Sequence, residues 1–440
     1  MMQNRRDEVS IFWFRRDLRL DDNHALFQAL KSGHKVLCIF IFDKDILSKL
    51  TSPDDARLTF IHQTVSQLNE SLRSYNSTLL TFYDTPIAVF EQLTKEYKIQ
   101  SVYINRDYEP YGINRDSAVE RYLKGLKISF LSFKDHVIFE KSDIVKKDHS
   151  PYTIFTPYKN QWLEKITKSD LDEYNTKTLL KNTKTIDYKE VIKIEILGFK
   201  NSSINIPALE LNHNIIDNYN DTRDIPSLPT SKLGVHLRFG TISIRKCIAY
   251  AQKTNTTWLN ELIWREFFMM ILFHFPKTVD HSFKPAYDFI PWRNNEDDFK
   301  RWCSGTTGYP LVDAGMRELN ATGFMHNRVR MVVASFLCKN LLIDWRWGER
   351  YFAEKLLDFE LSANVGNWQW AAGSGCDAAP YFRVFNPIIQ LEKFDKNHIY
   401  VKKWIPELET FDYPRAIVDQ KSSAARAISV YKKALEEHRK

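Results

Sequence analysis

The sequence predicts an α/β N-terminal domain with a doubly wound, Rossmann-like parallel sheet, followed by an all-α C-terminal domain. As far as residue 133, short apolar runs of strand type alternate with helical patterns, the order that produces a parallel sheet. From about residue 207 onward the periodicity is helical almost throughout. A length of 440 residues is sufficient for two separate cores. We place the first domain at residues 1–135, a linker at 136–205 and the helical domain at 206–440.

The N-terminal elements follow one another with short connections. Strand-like runs occupy residues 9–14, 35–42, 78–83, 101–104 and 128–133. Helical patterns occupy residues 25–33, 53–75, 86–97 and 113–126. The strands are almost continuously apolar, as in a parallel sheet covered on both faces. Such sheets bind ligands at the carboxyl ends of their strands, but no G-x-G-x-x-G or Walker A motif follows the first strand, which argues against an ordinary dinucleotide or NTP site.

The linker is rich in polar residues, and we expect little regular structure there except at residues 158–166. The clearest helical patterns beyond it occupy residues 258–275, 296–303, 312–323, 327–340, 350–359 and 422–437. Loops rich in glycine and proline separate these patterns. Their apolar residues point in all directions, as expected for a core built around a large cofactor.

Composition restricts the classes of protein that the chain can belong to. The five cysteines are far apart and form no C-x-x-C, which argues against a metal site or a disulfide framework and fits a reducing cytoplasm. We find no signal-peptide pattern and no apolar segment long enough to span a membrane. The net charge of +7 permits a phosphate-rich partner such as nucleic acid, but it equally fits an ordinary basic protein. Aromatic residues make up 14% of the chain, which suits stacking or electron transfer as well as packing.

Residues 357–387 concentrate chemically useful side chains in the sequence LDFELSANVGNWQWAAGSGCDAAPYFRVFNP. If residues 361–371 form a helix, Asn364 and Trp368 are four residues apart and share a face, whereas Trp370 lies about 200° round the axis from Trp368. Such a helix presents an amide and an indole to one partner and a second indole to another. Spacing alone leaves open a second interpretation, a core helix with two buried tryptophans.

Five sequence blocks carry a resemblance to a known family. They read FWFRRDLRLDDNHAL, LNELIWREFF, GTTGYPLVDAGMREL, MHNRVRMVVASFLCKNLLIDWRWGERYF and DFELSANVGNWQWAAGSGCDAAPYFRVFNP. In order and in content they resemble the DNA photolyase/cryptochrome family, from about residue 11 to residue 431. The resemblance implies an FAD cofactor, UV-damaged DNA as partner, and light-dependent repair of cyclobutane pyrimidine dimers by electron transfer from reduced FAD to a flipped-out dimer. It also implies a cytoplasmic, monomeric protein without a metal.

The resemblance assigns a set of residues to FAD. Asn364 matches the residue that faces flavin N5, where an amide can donate or accept a hydrogen bond and so support the reduced cofactor. Arg330 is expected to pair with Asp358. Glu360 stands where the family usually has aspartate, and Lys232 where many members have arginine. The complete set of implied FAD contacts is Tyr219, Thr230, Ser231, Lys232, Leu233, Gly234, Trp258, Arg265, Arg330, Asp358, Glu360 and Asn364.

Further residues are implied for electron transfer and for DNA. Trp292, Trp345 and Trp368 match a chain of tryptophans that carries electrons inward from the surface to reduce FAD. The implied dimer pocket consists of Glu261, Trp264, Asn327, Met331 and Trp370. The implied DNA contacts are Arg223, Glu261, Trp264, Asn327, Arg328 and Arg383. For the three arginines, the residues alone fit solvated surface side chains equally well.

Two positions separate the possible activities. Members of the family that repair (6-4) photoproducts carry histidines at the positions of Asn327 and Met331, and neither of these side chains can titrate. The residues therefore favour repair of cyclobutane dimers. A cryptochrome-type blue-light photoreceptor, a (6-4) photolyase and a non-catalytic binder of damaged DNA are the alternatives.

The resemblance also allows a second, light-harvesting chromophore in the N-terminal domain. Glu109 matches an antenna contact of the family, although a solvated acid after a strand is an equally good interpretation. Members that bind folate use a lysine at the position that Val279 occupies here. A deazaflavin, a folate, another flavin or no antenna all remain open, with folate disfavoured.

Overall fold

A computed structural model describes residues 6–438, and the chain divides into two compact units. The sheet unit holds the chain up to Glu140 together with Lys165–Leu209 and Leu233–Lys253. The helical unit holds Lys141–Glu164, Glu210–Lys232 and the chain from Thr254 onward. Segments of the two units alternate along the chain. The boundaries near residues 135 and 205 stay a prediction from the sequence.

The sheet unit contains five parallel strands in the order β3-β2-β1-β4-β5, as the alternating pattern predicted. The strands are β1 Glu8–Phe14, β2 Val36–Asp43, β3 Leu79–Asp84, β4 Lys98–Asn105 and β5 Ser129–Phe133. Central β1 pairs with β2 on one side and β4 on the other, and its side chains from Val9 to Phe14 are buried. Burial on both faces explains why these strands read as continuous apolar runs.

Helices connect the strands and continue through the helical unit. They are α1 His24–Leu30, α2 Lys44–Leu47, α3 Ala56–Arg73, α4 Pro86–Glu96, α5 Pro110–Gly125, α6 Phe155–Lys165, α7 His213–Asp217, α8 Tyr219–Thr222, α9 Gly234–Arg238, α10 Ile244–Thr254, α11 Thr256–His274, α12 Glu296–Ser304, α13 Pro310–Thr322, α14 Asn327–Ser335, α15 Trp345–Lys355, α16 Leu361–Ala372, α17 Pro387–Phe394, α18 Ile399–Trp404 and α19 Gln420–Glu437. The predicted fold class is confirmed.

Two helices differ from their predictions. The sequence predicted a helix over residues 350–359, but α15 begins at Trp345. It begins there because Asp344 caps its N-terminus by accepting a hydrogen bond from the Arg346 backbone N–H. The predicted helix over residues 327–340 changes character after Ser335 and ends as a π-helical turn, Phe336–Asn340. The linker contains short 3-10 turns, Lys168–Leu171 and Lys177–Asn182.

A buried ionic network explains why α10 belongs to the sheet unit. The Arg245 guanidinium lies 2.9 Å from an Asp22 carboxylate oxygen and 2.8 Å from one of Asp135, and all three side chains are buried. Arg19 also pairs with Asp135, at 2.6 Å. Burial alone would raise the pKa of Asp135, but the two guanidinium groups outweigh that effect and hold the pKa below its usual range. Ion pairs between residues far apart in sequence therefore join α10 to the sheet.

The helical unit has its own apolar core, to which α13, α14, α15 and α16 contribute. Trp302, Trp345 and Trp368 are among its buried members. None of the helices between residues 6 and 438 combines the length and apolar character that crossing a bilayer requires. In the same part of the chain, no group of three or more His, Cys, Asp or Glu side chains could hold a metal ion.

Replacing Arg245 with Met should lower the free energy of unfolding by about 3–5 kcal/mol, because it leaves the Asp22 and Asp135 carboxylates buried with fewer partners. Urea denaturation followed by circular dichroism measures the change. The control is Lys246→Met, which removes a partly exposed pair with Asp21 and should cost less than about 1 kcal/mol. Equal effects of the two variants would contradict the importance of the buried network.

Candidate functional site

A cleft in the helical unit brings together many of the residues singled out from the sequence. It encloses about 610 Å³, part of which is open to solvent, and residues of α14, α15 and α16 line it. Phe352, Phe359 and other apolar side chains form part of its wall. Residues predicted from the sequence supply the rest, namely Asn327, Arg330, Met331, Asp358, Glu360, Asn364, Trp368 and Trp370.

Helix α16 supplies one side of the cleft. Its lining residues recur at helical spacing, so that one face of the helix is exposed to the cleft. Asn364 and Trp368 share that face, as predicted. Trp370 was expected to face elsewhere, but it also lines the cleft, which therefore extends round the last turn of the helix.

The Asn364 amide is oriented by Glu349 of α15. Its nitrogen donates to the Glu349 carboxylate at 2.9 Å and to the Glu349 backbone carbonyl at 3.1 Å. Burial raises the pKa of Glu349, and the hydrogen bond from Asn364 partly opposes that shift. Because the amide nitrogen is engaged on this side, the carbonyl oxygen is the atom that Asn364 has left to offer a ligand as an acceptor.

Acidic residues at the edge of the cleft are paired with arginines. Arg330 lies 3.0 Å from Asp358, so the predicted ion pair is present, and it also donates to the Met325 carbonyl at 2.7 Å. Glu360, at the start of α16, is buried and lies 3.4 Å from Arg265. Each carboxylate at this edge of the cleft therefore has a guanidinium group beside it.

The first turns of α14 form the opposite side of the cleft. Asn327 and Met331 are four residues apart and both reach the cleft, as their spacing predicts. Neither side chain titrates. The neighbouring His326 is buried and caps α14, and burial together with Arg330 lowers its pKa to about 4.

Trp368 packs directly on the backbone of α15. A methyl group added at Gly348 would overlap the Trp368 indole, so only glycine permits this contact. Trp345, three residues before Gly348, is fully buried, and Trp292 is half-buried with its ring 5.7 Å from that of Tyr431. The indole N–H groups of Trp345 and Trp292 are buried without a protein acceptor among residues 6–438.

The side chain of Trp264 on α11 is stacked within the helical unit. The Phe155 ring lies parallel to it with centroids 3.7 Å apart, and Phe268 lies 5.4 Å away on the same helix. Trp264 does not line the cleft described above. The expectation of two facing indole walls, Trp264 and Trp370, is therefore not met by the lining of this cleft.

Glu261, one turn before Trp264, pairs with Arg223 at 2.8 Å, and both side chains are partly exposed. Burial raises the pKa of Glu261, against the opposing effect of Arg223. The Arg223 guanidinium also lies over the Tyr219 ring, 5.4 Å from its centroid. Trp258 is buried in the first turn of α11, where Asn255 caps the helix. Tyr219, Arg223 and Glu261 thus form one contact group.

The other arginines predicted to bind DNA differ in exposure. Arg328 pairs with Asp224 at 2.6 Å and lies over the Phe394 ring, so it is largely covered. Arg383 is exposed in the loop between α16 and α17, beside the exposed Phe382. Arg383 is therefore the more available of the two for a phosphate.

The segment predicted to bind a diphosphate precedes α9. The Thr230 hydroxyl is buried and has no protein partner among residues 6–438. Lys232 is exposed and has a positive φ of 49°, with its ammonium 5.2 Å from the Phe324 ring centroid. Leu233 is buried in the sheet unit, where Gly234 starts α9. A hydroxyl buried without a protein partner is the feature expected where a ligand supplies the partner.

The sheet unit contains a cavity at the carboxyl ends of its strands that encloses about 850 Å³, part of which is open to solvent. Residues that follow β1, β2 and β4 line it, including Arg15, Asp43 and Glu109. The Glu109 carboxylate pairs with Arg16 at 3.0 Å and also with Arg238. Glu109 is therefore held by two cations and is not a freely solvated acid.

Comparison with known proteins decides the family. Residues 10–177 match the model of DNA photolyase, and residues 258–426 match the model of the FAD binding domain of DNA photolyase. The chain belongs to the DNA photolyase family. It is 34% identical to a deoxyribodipyrimidine photo-lyase of Alkalihalophilus pseudofirmus, over 97% of this chain and 98% of that protein.

Solved structures agree with this assignment. A bacterial class III photolyase from Agrobacterium tumefaciens superposes with a TM-score of 0.85 at 31% identity, covering 99% of both chains. An archaeal photolyase from Sulfolobus tokodaii, crystallised with two FAD molecules, superposes with a TM-score of 0.78 at 33% identity, covering 97% of this chain and 100% of that one.

The residues of the helical unit fit an FAD cofactor. The cleft presents apolar walls, an oriented amide and a paired arginine, and the unpartnered Thr230 hydroxyl adds a donor for an anionic group. The cleft residues lie within the stretch 258–426 that matches the FAD binding domain, and Thr230 precedes it in the chain.

Sequence reasoning missed three residues of this site. Glu349 orients Asn364, Phe155 stacks on Trp264, and Phe382 is the exposed neighbour of Arg383. Glu349 could have been found from its place in α15, four residues after Trp345, had that helix been predicted to begin at Trp345. No sequence signal connects Phe155 with Trp264, which is 109 positions later.

Replacing Gly348 with Ala should destabilise the helical unit by about 1–3 kcal/mol, because the added methyl group overlaps the Trp368 indole. The unfolding midpoint in urea and the flavin content of the purified protein measure the effect. Gly125→Ala is the matched control, since nothing lies within 4 Å of the added methyl there. A Gly348→Ala protein with unchanged stability and flavin content would contradict the packing described here.

Proposed function

We propose that this chain is a light-driven DNA repair enzyme that splits cyclobutane pyrimidine dimers. One observation carries the proposal: the solvent-open cleft presents an oriented amide, Asn364, together with a wall of Asn327, Met331 and Trp370 that contains no titrating group. FAD bound in the cleft would supply the light-excited electron that opens the cyclobutane ring. The protein binds, orients and shields the reacting partners.

The cleft residues would hold the cofactor through distinct contacts. Asn364 offers its carbonyl oxygen, which accepts from an N–H and so favours the reduced flavin, in which N5 carries a hydrogen. Arg330, held by Asp358, supplies a fixed positive charge. The Thr230 hydroxyl is available for the diphosphate.

Asn327, Met331 and Trp370 would form the wall against the flipped dimer. Extrusion from the duplex costs a few kcal/mol, less for a distorted lesion, whereas stacking on an aromatic ring contributes about 1–3 kcal/mol per base. Glu261 has a raised pKa and sits in a polar group with Arg223, which suits a hydrogen bond to a pyrimidine edge. Trp264 would contact the dimer with the part of its indole ring that the stacked Phe155 ring does not cover.

The cleft does not favour repair of (6-4) photoproducts. None of its lining residues within the described part of the chain is a histidine. His326 is close by in sequence, but it is buried as a helix cap and its pKa of about 4 keeps it neutral. An acid able to protonate that lesion at neutral pH is therefore not supplied by α14.

Trp368, Trp345 and Trp292 would carry electrons to the cofactor. Trp368 lines the cleft and packs on α15, the helix that Trp345 begins, and Trp292 is nearer to solvent. Trp368 and Trp345 are buried, at 2% and 1% exposed, and Trp292 is half-buried, which supports transfer from the surface inward.

The cavity of the sheet unit would hold a second chromophore. Its place at the strand ends and its apolar lining suit a ring system of flavin or deazaflavin type. Apolar walls from β2 and the arginines around Glu109 would bind the ring and an anionic tail. The Sulfolobus tokodaii relative, which holds two FAD molecules, supports this class of ligand.

The proposed activity is tested with an oligonucleotide that contains a single thymine dimer. The chemically reduced holoprotein should restore the dimer to two thymines under blue or near-UV light and leave it intact in the dark. Affinity for the dimer without light-dependent turnover would indicate a damaged-DNA binder, and light absorption without either would indicate a photoreceptor. Both results would overturn the proposal.

Trp292→Phe should slow photoreduction of oxidised FAD by at least about tenfold, because it removes the outermost member of the electron chain. Repair by chemically reduced protein should remain within about twofold of the unmodified chain, since the cofactor then needs no further electron. Absorbance during illumination measures the first rate, and dimer loss measures the second. Equal losses in the two assays would refute separate roles for the chain and the dimer pocket.

Arg383→Ala should weaken binding of dimer DNA and reduce the slope of log affinity against log salt by about one unit, because one phosphate contact is lost. Fluorescence anisotropy at several salt concentrations measures both. Lys98→Ala, at an exposed lysine of the sheet unit, is the control and should leave the slope unchanged. An unaltered slope for Arg383→Ala would remove this residue from the DNA contact.

A further inference from the structure

Lys339 is a cation buried inside the helical unit, with only 1% of its surface exposed. It belongs to the π-helical turn Phe336–Asn340 that follows α14. Single π-helical turns are uncommon and occur often at functional sites. Among residues 6–438 no carboxylate lies close enough to the ammonium to influence it, so other groups must replace its hydration.

Carbonyl groups and an aromatic ring replace that hydration. The Lys339 ammonium donates to the Ala372 carbonyl at 2.9 Å and to the Tyr381 carbonyl at 3.2 Å, and it lies 3.7 Å from the centroid of the Tyr431 ring. Ala372 ends α16, where unpaired carbonyls carry partial negative charge. Burial lowers the pKa of Lys339 to about 7, so retention of the charge depends on these contacts.

The second of these carbonyls belongs to the loop of residues 373–386, here named the 373–386 loop. Tyr381 stacks on Tyr431, with ring centroids 6.2 Å apart. Further along, the Phe385 backbone N–H donates to the Ser335 hydroxyl at 3.4 Å. Between these anchors lie Phe382, which is 61% exposed, and the exposed Arg383. These anchors thus hold the loop on both sides of its exposed pair.

We propose that Lys339 is a positioning residue that fixes the 373–386 loop to the end of α16 and thereby sets where Phe382 and Arg383 meet the DNA backbone. The contact with DNA rests on the proposed function. The anchoring of the loop does not, because it follows from hydrogen bonds within this chain.

Simple core packing does not account for this arrangement. Methionine would fill a similar volume without the cost of burying an ammonium group. The ammonium connects three separate segments, namely the end of α16, the 373–386 loop and α19 through Tyr431. Loss of the charge therefore removes the connection between the helix that lines the cleft and the loop, while leaving the apolar core filled.

The holoprotein with Lys339→Met tests the proposal directly. Limited digestion with trypsin, followed by mass spectrometry of peptides that end at Arg383, reports how firmly the 373–386 loop is held. Cleavage there should be about tenfold faster than in the unmodified chain, because the Ala372 and Tyr381 carbonyls lose their donor. Lys284→Met is the matched control. The Lys284 ammonium lies over the Tyr287 ring and makes a long hydrogen bond, 3.4 Å, to the carbonyl of Gly373, the first residue of the loop, so cleavage after Arg383 should be nearly unchanged.

DNA binding and repair provide the second measurement. Lys339→Met should weaken affinity for dimer DNA by about tenfold, whereas the repair rate of bound dimer, the flavin absorption spectrum and the unfolding midpoint should remain unchanged. A residue that acts only in packing would alter the spectrum or the midpoint instead. That result, or a cleavage rate equal to that of the unmodified chain, would overturn the proposal.

Two further outcomes are distinguishable. If Lys339→Met does not retain flavin, Lys339→Gln replaces it, because glutamine keeps an amide donor on a shorter side chain. Cleavage after Arg383 in Lys339→Gln should then be intermediate. Cleavage equal to that of the unmodified chain would show that the ammonium is not required. Where the unmodified chain itself does not bind dimer DNA, the proposed function fails, but the trypsin comparison still decides the role of Lys339.

Discussion

The packing of α16 against α15 determines the geometry of the cleft. Gly348 lets the Trp368 indole lie on the α15 backbone, and Glu349, the next residue, holds the Asn364 amide. A side chain at position 348 would separate the two helices and break both contacts together. The orientation of the amide and the depth of the tryptophan are therefore consequences of one close helix–helix contact.

The polar groups of the cleft are paired across helices, which makes them compatible with burial. Asn364 is 8% exposed and Glu360 is 6% exposed, and each has a partner on another helix, Glu349 or Arg265. Buried polar groups are tolerated only when they are paired. A set of paired groups presents fixed charges and dipoles to a ligand, and these do not need to reorganise when it binds.

The sequence was sufficient for features that depend on local patterns. Alternating runs predicted every strand of the sheet, and i, i+4 spacing predicted that Asn364 shares a face with Trp368 and Asn327 with Met331. The sequence did not predict contacts between segments that are far apart along the chain. Arg245 bonds to Asp22, 223 positions away, and no periodicity records such a pair. The start of α15 was misplaced because a cap at Asp344, rather than apolar spacing, decides it.

Trp368 and Trp370 differ in how deeply they are buried, and their spacing in the sequence did not predict this difference. The expectation that they face different partners rested on their angle round α16, but both reach the same cleft. Trp368 is 2% exposed and packs on Gly348, within an aromatic cluster that includes Phe352. Trp370 is half-buried, and its ring centroid lies 6.4 Å from that of Phe385 in the 373–386 loop. The buried indole is thus embedded in the protein interior, which suits the innermost member of the proposed electron chain, while the more exposed one adjoins the loop that would meet DNA.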